Sequence, residues 1–231
     1  MRVLELGSYI APAYAGMILA EQGADVVKWA RADDPTLDLA GGADLWEWLH
    51  AGKRVEFRSP KTLADEPYWP WDVVVDNMTP RALDKLGLDP EAIAKRCGCA
   101  WVSIRADVGE VSFDVIAQAR SWMEYGPWLP FYAGDTVAGL WAAFKASTMV
   151  VQGRSGHFVI PQAAALQKLV EGELVLNPER DGKTTPWDTD VYTVENGEAV
   201  VMYRGREVRE PIRDRAWKLE HLAHAGGRIR I

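Results

Sequence analysis

The chain has 231 residues, 48% of them hydrophobic and 26% charged, enough for one sizeable domain with a small annex. A formal net charge of −7 argues against general binding to nucleic acid or to an anionic membrane surface. No apolar run approaches the ~20 residues that span a bilayer, and the opening MRVLELGSYIAPAYAG lacks the charged start and long apolar core of a secretory leader, so a soluble cytoplasmic protein is expected.

Arg2 to Leu6 (RVLEL) reads as a buried strand, Ala11 to Gln22 as a helix of small residues closing at Gly23, and Asp25 to Trp29 (DVVKW) as a second strand. Such a strand–helix–strand unit begins a parallel α/β sheet. Ala32 to Ala51 is mixed and glycine-bearing, more loop than element, with an aromatic patch in LWEWLH. Asp72 to Asp76 (DVVVD) is a third strand, Pro80 to Leu86 and Asp89 to Arg96 are short helices split by Gly87, and Ala100 to Arg105 (AWVSIR) is a fourth strand. This alternation predicts an α/β fold, a Rossmann-like doubly wound parallel sheet. Helical additions follow over Asp114 to Met123, Thr136 to Met149 and Pro161 to Gly172.

In YTVENGEAVVMY, Tyr192 to Tyr203, the pair Asn196-Gly197 between two alternating runs signals a hairpin. The tail from Arg204 to Ile231 carries eight Lys or Arg against four Asp or Glu and reads as a basic helix. It suits either a phosphorylated ligand or a merely solvated face. The expected organisation is a large domain over residues 1–172 and a reduced C-terminal region over 173–231, with the break near Gly172 to Pro186.

Cys97 and Cys99 are too close for an ordinary disulfide and too few for a structural zinc site, and of the four histidines only His221 and His224 share a helix face, so no metal is expected. Eleven tryptophans point to a large buried or interfacial area. In AGDTVAGLWAAFKA, Ala133 to Ala146, a single acid leads an apolar run. At that place Asp135 either caps the helix or stands as a reactive carboxylate, held ionised by the helix end.

Four ordered segments carry a family resemblance: VLELGSYIAPAYAGMILAEQGADVVKW near the start, GKR at Gly52 to Arg54, DVVVDNMTPRALDKLGLD at Asp72 to Asp89, and FDVIAQA followed by GDTVAG. Together they resemble the class III CoA-transferases, the CaiB/BaiF family, over residues 1 to about 150. The resemblance implies an acyl-CoA:carboxylate CoA-transferase with Asp135 as covalent nucleophile, and with Gly134 and Gln118 shaping its pocket. Gln118 reads equally as a buried amide tying helix to strand. Backbone N–H groups at the helix start would stabilise each oxyanion. Coenzyme A or acyl-CoA enters as substrate, with no tightly bound cofactor. Its adenine and phosphates would meet Tyr9, Ile10, Arg31, Asn77, Met78 and Lys85, although Arg31 and Lys85 also read as ordinary surface charges. The other substrate is a carboxylic acid. Family members form interlocked dimers, so a homodimer or a heteromer with a longer homologue is implied.

The chain also departs from the family pattern. The family's glycine-rich closing loop has no counterpart, since the only glycine doublets are Gly41-Gly42 and Gly226-Gly227. Pro12 removes a backbone donor from the first turn after the opening strand. His50 and Ala51 stand where the family has Asn and Arg, and ARSWMEYGPWLPFYAGD is unusually aromatic. Phe113 occupies the place of the racemases' histidine, which disfavours two-base proton exchange. These departures leave two alternatives: a noncatalytic CoA-binding or assembly subunit, or an enzyme that uses Asp135 as base or acyl carrier on another substrate.

Overall fold

The computed structural model describes residues 1–64, 68–106, 113–121 and 131–170, and the strands at 192–195, 198–203 and 206–211. Contacts divide the chain into two units, Met1–Arg120 with Tyr132–Leu166, and Ser121–Phe131 with Gln167–Ile231.

The first unit is built on six strands: β1 (Arg2–Glu5), β2 (Asp25–Ala30), β3 (Arg54–Phe57), β4 (Val73–Asp76), β5 (Ala100–Arg105) and β6 (Gly156–Pro161). They pair in parallel in the order β3-β2-β1-β4-β5-β6, as a doubly wound sheet requires. The predicted α/β fold is therefore the observed one. The central strands are mostly apolar because both of their faces are covered. Val3, Val26, Val73, Val75 and Val102 face one layer, and Leu4, Val27, Val74 and Trp101 face the other.

Two helices cover the first face, α1 (Ile10–Glu21) and α6 (Ala133–Val151). Their contact uses small residues, Ala11 and Ala15 against Ala138 and Ala142. A Cβ on Gly139 would lie 2.6 Å from the Ala11 carbonyl oxygen, so this closeness needs glycine. Ala165 of α7 (Gln162–Val170) joins the same layer. On the second face α3 (Pro80–Leu86) and α4 (Pro90–Cys97) contribute Leu83 and Ile93. Thr79 and Asp89 cap them, and Gly87 and Gly98 end them in the left-handed conformation that glycine favours. The short α5 (Asp114–Ser121) completes the set relevant to the site.

Several elements differ from the sequence reading. The stretch read as loop holds a 3₁₀ turn at Pro35–Asp38 and α2 (Gly42–His50). Gly42 permits this tight entry, for a Cβ there would lie 2.4 Å from the Thr36 carbonyl oxygen. Strands β3 and β6 are the two edges, half-buried or exposed over most of their length, and so lack the apolar run that marks the central strands. Pro161 ends β6 instead of starting a helix, an edge position where a missing N–H is tolerated.

In the second unit β7 (Tyr192–Glu195) and β8 (Glu198–Tyr203) pair antiparallel, with Glu195 opposite Glu198, so the two runs that flank Asn196-Gly197 form the expected hairpin strands. A third strand, β9 (Arg206–Pro211), pairs with β8 where the sequence reading placed a basic helix. Residues 206–210 hold one apolar side chain, Val208, among four charged ones, so β9 carries no apolar alternation for the sequence reading to find. The remainder of that tail, with His221 and His224, lies outside the described residues.

Candidate active site

Asp135 stands in the first turn of α6 as its third residue, not at the cap, which is Tyr132. Asp114, at the start of α5, does the capping from across the interface. Its Oδ1 accepts the N–H of Gly134 at 2.6 Å and that of Asp135 at 3.2 Å. Its Oδ2 accepts from Gln118 Nε2 at 2.8 Å, so Gln118 is a buried amide that orients Asp114. The two helices approach this closely because residue 134 is glycine: a Cβ there would lie 2.6 Å from Ala117 Cβ. Gly134→Ala is accordingly expected to push the α6 start off α5 and cost about 1–3 kcal/mol in chemical denaturation. Unchanged stability would show that the first turn yields without strain.

The Asp135 carboxyl is half-buried, and Gln162 Nε2 at the start of α7 donates to its Oδ1. Among the described residues no donor reaches Oδ2. Burial, and next the charge of Asp114, push the Asp135 carboxyl up to about 7 against the opposing hydrogen bond from Gln162. Burial likewise pushes Asp114 up, although Gln118 and the two backbone N–H groups oppose it. The sequence expectation of a carboxylate kept ionised by the helix end is corrected here. The N–H groups that would hold the charge are turned to Asp114, so the field of the helix end acts on the wrong carboxylate for that purpose. The same engagement removes Gly134 and Asp135 N–H as oxyanion donors and leaves Gln162 as the side-chain donor in place.

Strand order reverses between β1 and β4, and ligands of open α/β sheets bind in the crevice beyond such a switch point. Four of the candidate CoA residues follow these two strands: Tyr9 and Ile10 after β1, Asn77 and Met78 after β4. Asn77 ties the two turns together, accepting from Ser8 N–H at 3.1 Å and donating to Ser8 C=O at 2.8 Å. Gly7 must be glycine, because it has a φ of +87° and a Cβ would lie 2.1 Å from Asn77 Oδ1. Ile10 is buried in a small cluster with Ala13 and Leu49, and Met78 packs beside Leu83 and Trp101. Their side chains are packing groups. Arg31 is exposed and engaged by Asp33 through two bonds of 3.0 and 2.8 Å, while Lys85 is exposed on α3. Pro12 is the third residue of α1, where a helix leaves its N–H without an internal acceptor, so the departure at this turn leaves α1 intact.

Two charged networks were not singled out from the sequence. Glu5 is fully buried and meets Lys28 Nζ at 3.1 Å and Lys53 Nζ at 2.6 Å, with His50 Nε2 at 3.6 Å. Burial would raise the Glu5 carboxyl, but Lys53 and Lys28 hold it well below the usual carboxylate range. Burial pushes the Lys53 ammonium down, against the attraction of Glu5. The second network centres on buried Asp76, whose Oδ2 accepts from Trp101 Nε1 at 2.6 Å and Ser103 Oγ at 2.5 Å. Its Oδ1 accepts from Arg105 Nη1 at 2.7 Å and from Met78 N–H at 2.8 Å, which fixes the turn after β4. Both networks had a visible signal, a charge inside a strand that must be buried and must therefore be paired.

The fold is that of an α/β protein with a parallel sheet whose strand order reverses between β1 and β4. The CoA-transferase family III profile matches residues 1–159, and the chain belongs to that family. Among solved structures it is similar to a CaiB/BaiF family protein from Brucella suis, with a TM-score of 0.66 and 19% identity over 89% of this chain and 65% of that one. It is also similar to a hypothetical protein from Mycobacterium tuberculosis, with a TM-score of 0.63 and 19% identity over 87% of this chain and 64% of that one. The chain thus spans less than two thirds of the length of these proteins. No curated protein matches it. Among the described residues no helix is long and apolar enough to cross a membrane.

Proposed function

We propose that the chain acts as an acyl-CoA:carboxylate CoA-transferase, with Asp135 as the covalent nucleophile. The supporting observation is a half-buried carboxyl in the first turn of α6 whose Oδ1 is held by Gln162 while Oδ2 meets no donor among the described residues. In this reading Oδ2 attacks the thioester carbonyl, and the C–S bond breaks to give an aspartyl mixed anhydride and CoA thiolate. The thiolate attacks the aspartyl carbonyl, which releases the donor acid and leaves an aspartyl–CoA thioester. The acceptor carboxylate attacks that thioester and expels the thiolate, which then takes the acceptor's acyl group and restores the Asp135 carboxylate. Splitting one exchange into such steps is the general gain of covalent catalysis. Gln162 serves as donor to the oxyanions. Coenzyme A is a substrate here, lying over Tyr9, Ile10, Asn77 and Met78, with Arg31 and Lys85 meeting its phosphates after Arg31 leaves Asp33.

Incubation with a panel of acyl-CoA donors, trapping with hydroxylamine or borohydride, and peptide mapping test the proposal. A modification at Asp135 supports it, and an unmodified Asp135 across the panel removes it. Because attack needs the ionised form, kcat/KM should rise with pH through an apparent pKa near 7, the value expected of the free carboxyl. A profile flat from pH 5 to pH 9 would contradict an Asp135 nucleophile of this kind.

A second reading rests on the same carboxyl. A group poised near neutrality also suits a general base, with Asp135 removing a proton α to a carbonyl instead of attacking it. Solvent deuterium entering a substrate without any adduct at Asp135 would favour that reading.

A further inference from the structure

The side chains of Lys28, Lys53 and Asn77 hydrogen-bond to the segment from Gly7 to Ala13. Lys28 Nζ donates to the Gly7 carbonyl at 2.7 Å, and Lys53 Nζ donates to the Ala13 carbonyl at 2.6 Å. Both ammonium groups meet one carboxylate, Glu5, so a single buried acid grips both ends of the β1–α1 turn. Gly16 leaves room for that acid, since a Cβ there would lie 2.1 Å from Glu5 Oε2. Asn77 holds the middle of the turn through the backbone N–H and C=O of Ser8.

At the centre lies Tyr9, with φ 65° and ψ −156°, the one non-glycine residue of positive φ among the described residues. Such strain persists only where the surroundings over-determine the backbone. Its consequence is the direction of the Tyr9 ring, which meets Phe113 edge to face with centroids 5.9 Å apart. The Phe113 carbonyl accepts the N–H groups of Ile116 and Ala117 and so starts α5. The next residue is Asp114, which holds the first turn of α6.

We infer that Glu5, Lys28, Lys53 and Asn77 are positioning residues that act through Tyr9: they lock the β1–α1 turn so that the Tyr9 ring buttresses Phe113, and Phe113 in turn fixes Asp114 against the helix start that carries Asp135. This goes beyond the transfer reading, because it concerns where the Asp135 carboxyl is held in the free protein, whatever it then does.

The test needs no turnover. Carbon-13 NMR titration would follow the carboxyls of Asp135 and Asp114 in the free wild-type protein and in Tyr9→Phe, Tyr9→Gly and Asn77→Ala variants, with Tyr132, a titratable group that both carboxylates act on, read in the same pH series. Glycine adopts the Tyr9 backbone angles without strain, so Tyr9→Gly deletes the ring while relieving the turn. Tyr9→Phe should titrate as wild type. Tyr9→Gly and Asn77→Ala should move the Asp135 midpoint by on the order of half a pH unit or more while cooperative unfolding is retained, a readout that a merely stabilising turn would leave alone. A folded Tyr9→Gly protein with an unmoved Asp135 midpoint overturns the inference, as does a Tyr9→Phe variant that moves it equally. If Tyr9→Gly does not fold, Phe113→Ala removes the same contact from an exposed position, with the same expected shift and the same overturning result.

Discussion

Asp135→Asn should lower acyl transfer by at least about a thousandfold, the scale on which nucleophiles fail when deleted, and should at the same time make the fold more stable at pH 8. The two effects share one cause. The folded protein holds this carboxyl up at about 7 against an unfolded value of 3.8, so the fold favours the protonated form. A group raised in this way contributes stability that is fully present below pH 3.8 and lost as pH climbs through about 7. Above that window the wild-type fold carries an ionised group it disfavours, and a neutral amide relieves it. The shift corresponds to at most about 4 kcal/mol, an upper limit that partial solvent access reduces. Thermal melts at pH 8 and pH 4 check the claim. Asp135→Asn should melt several degrees above wild type at pH 8, with the gap closing at pH 4. Equal melting temperatures at pH 8 would mean that Asp135 is an unstrained surface acid, and its candidacy as the reactive group would fall with it.

The second large effect is expected at Glu5. Glu5→Gln keeps the shape and removes the charge, leaving Lys28 and Lys53 facing each other with side-chain exposures of 1% and 0%. Breaking a buried ion cluster on one side costs about 3–5 kcal/mol, because the remaining charge cannot be hydrated. For a chain of this size that is a fall in melting temperature of roughly 10 °C. Adding Lys53→Met should recover part of the loss, since only one ammonium then remains. The deficit should also narrow as pH rises, because burial already pushes the Lys53 ammonium down and its neutral form is the one a dry site accepts. A double variant no better than Glu5→Gln alone would show that the cost is packing and not charge.

What the sequence disclosed divides along physical lines. Central strands announce themselves because both faces are covered, and DVVVD and AWVSIR leave little choice. The edges β3 and β6 and the glycine-framed α2 were missed because half-covered or tightly entered elements lack that signature. At the candidate site, the family resemblance pointed to Asp135, Gly134 and Gln118, and the structure brings them together around Asp114, a relation the sequence did not disclose. The acid that caps α6 lies 20 residues upstream of Gly134, on another helix. Gln162 was invisible for the same reason, since it reaches Asp135 across 27 residues of chain. Local patterns carry capping; they do not carry which neighbouring helix supplies it.

The capping of α6 from α5 bears on how such a centre could be transplanted. A segment reading GDTVAG would carry the acid into a new host without the structure that surrounds it here, because Gly134 and Asp135 present their amide protons to a carboxylate the segment does not contain. Grafting would require Asp114 and Gln118 together with the glycine that lets them close in. The inheritable unit is thus a pair of helix beginnings, and a change on either one must be matched on the other.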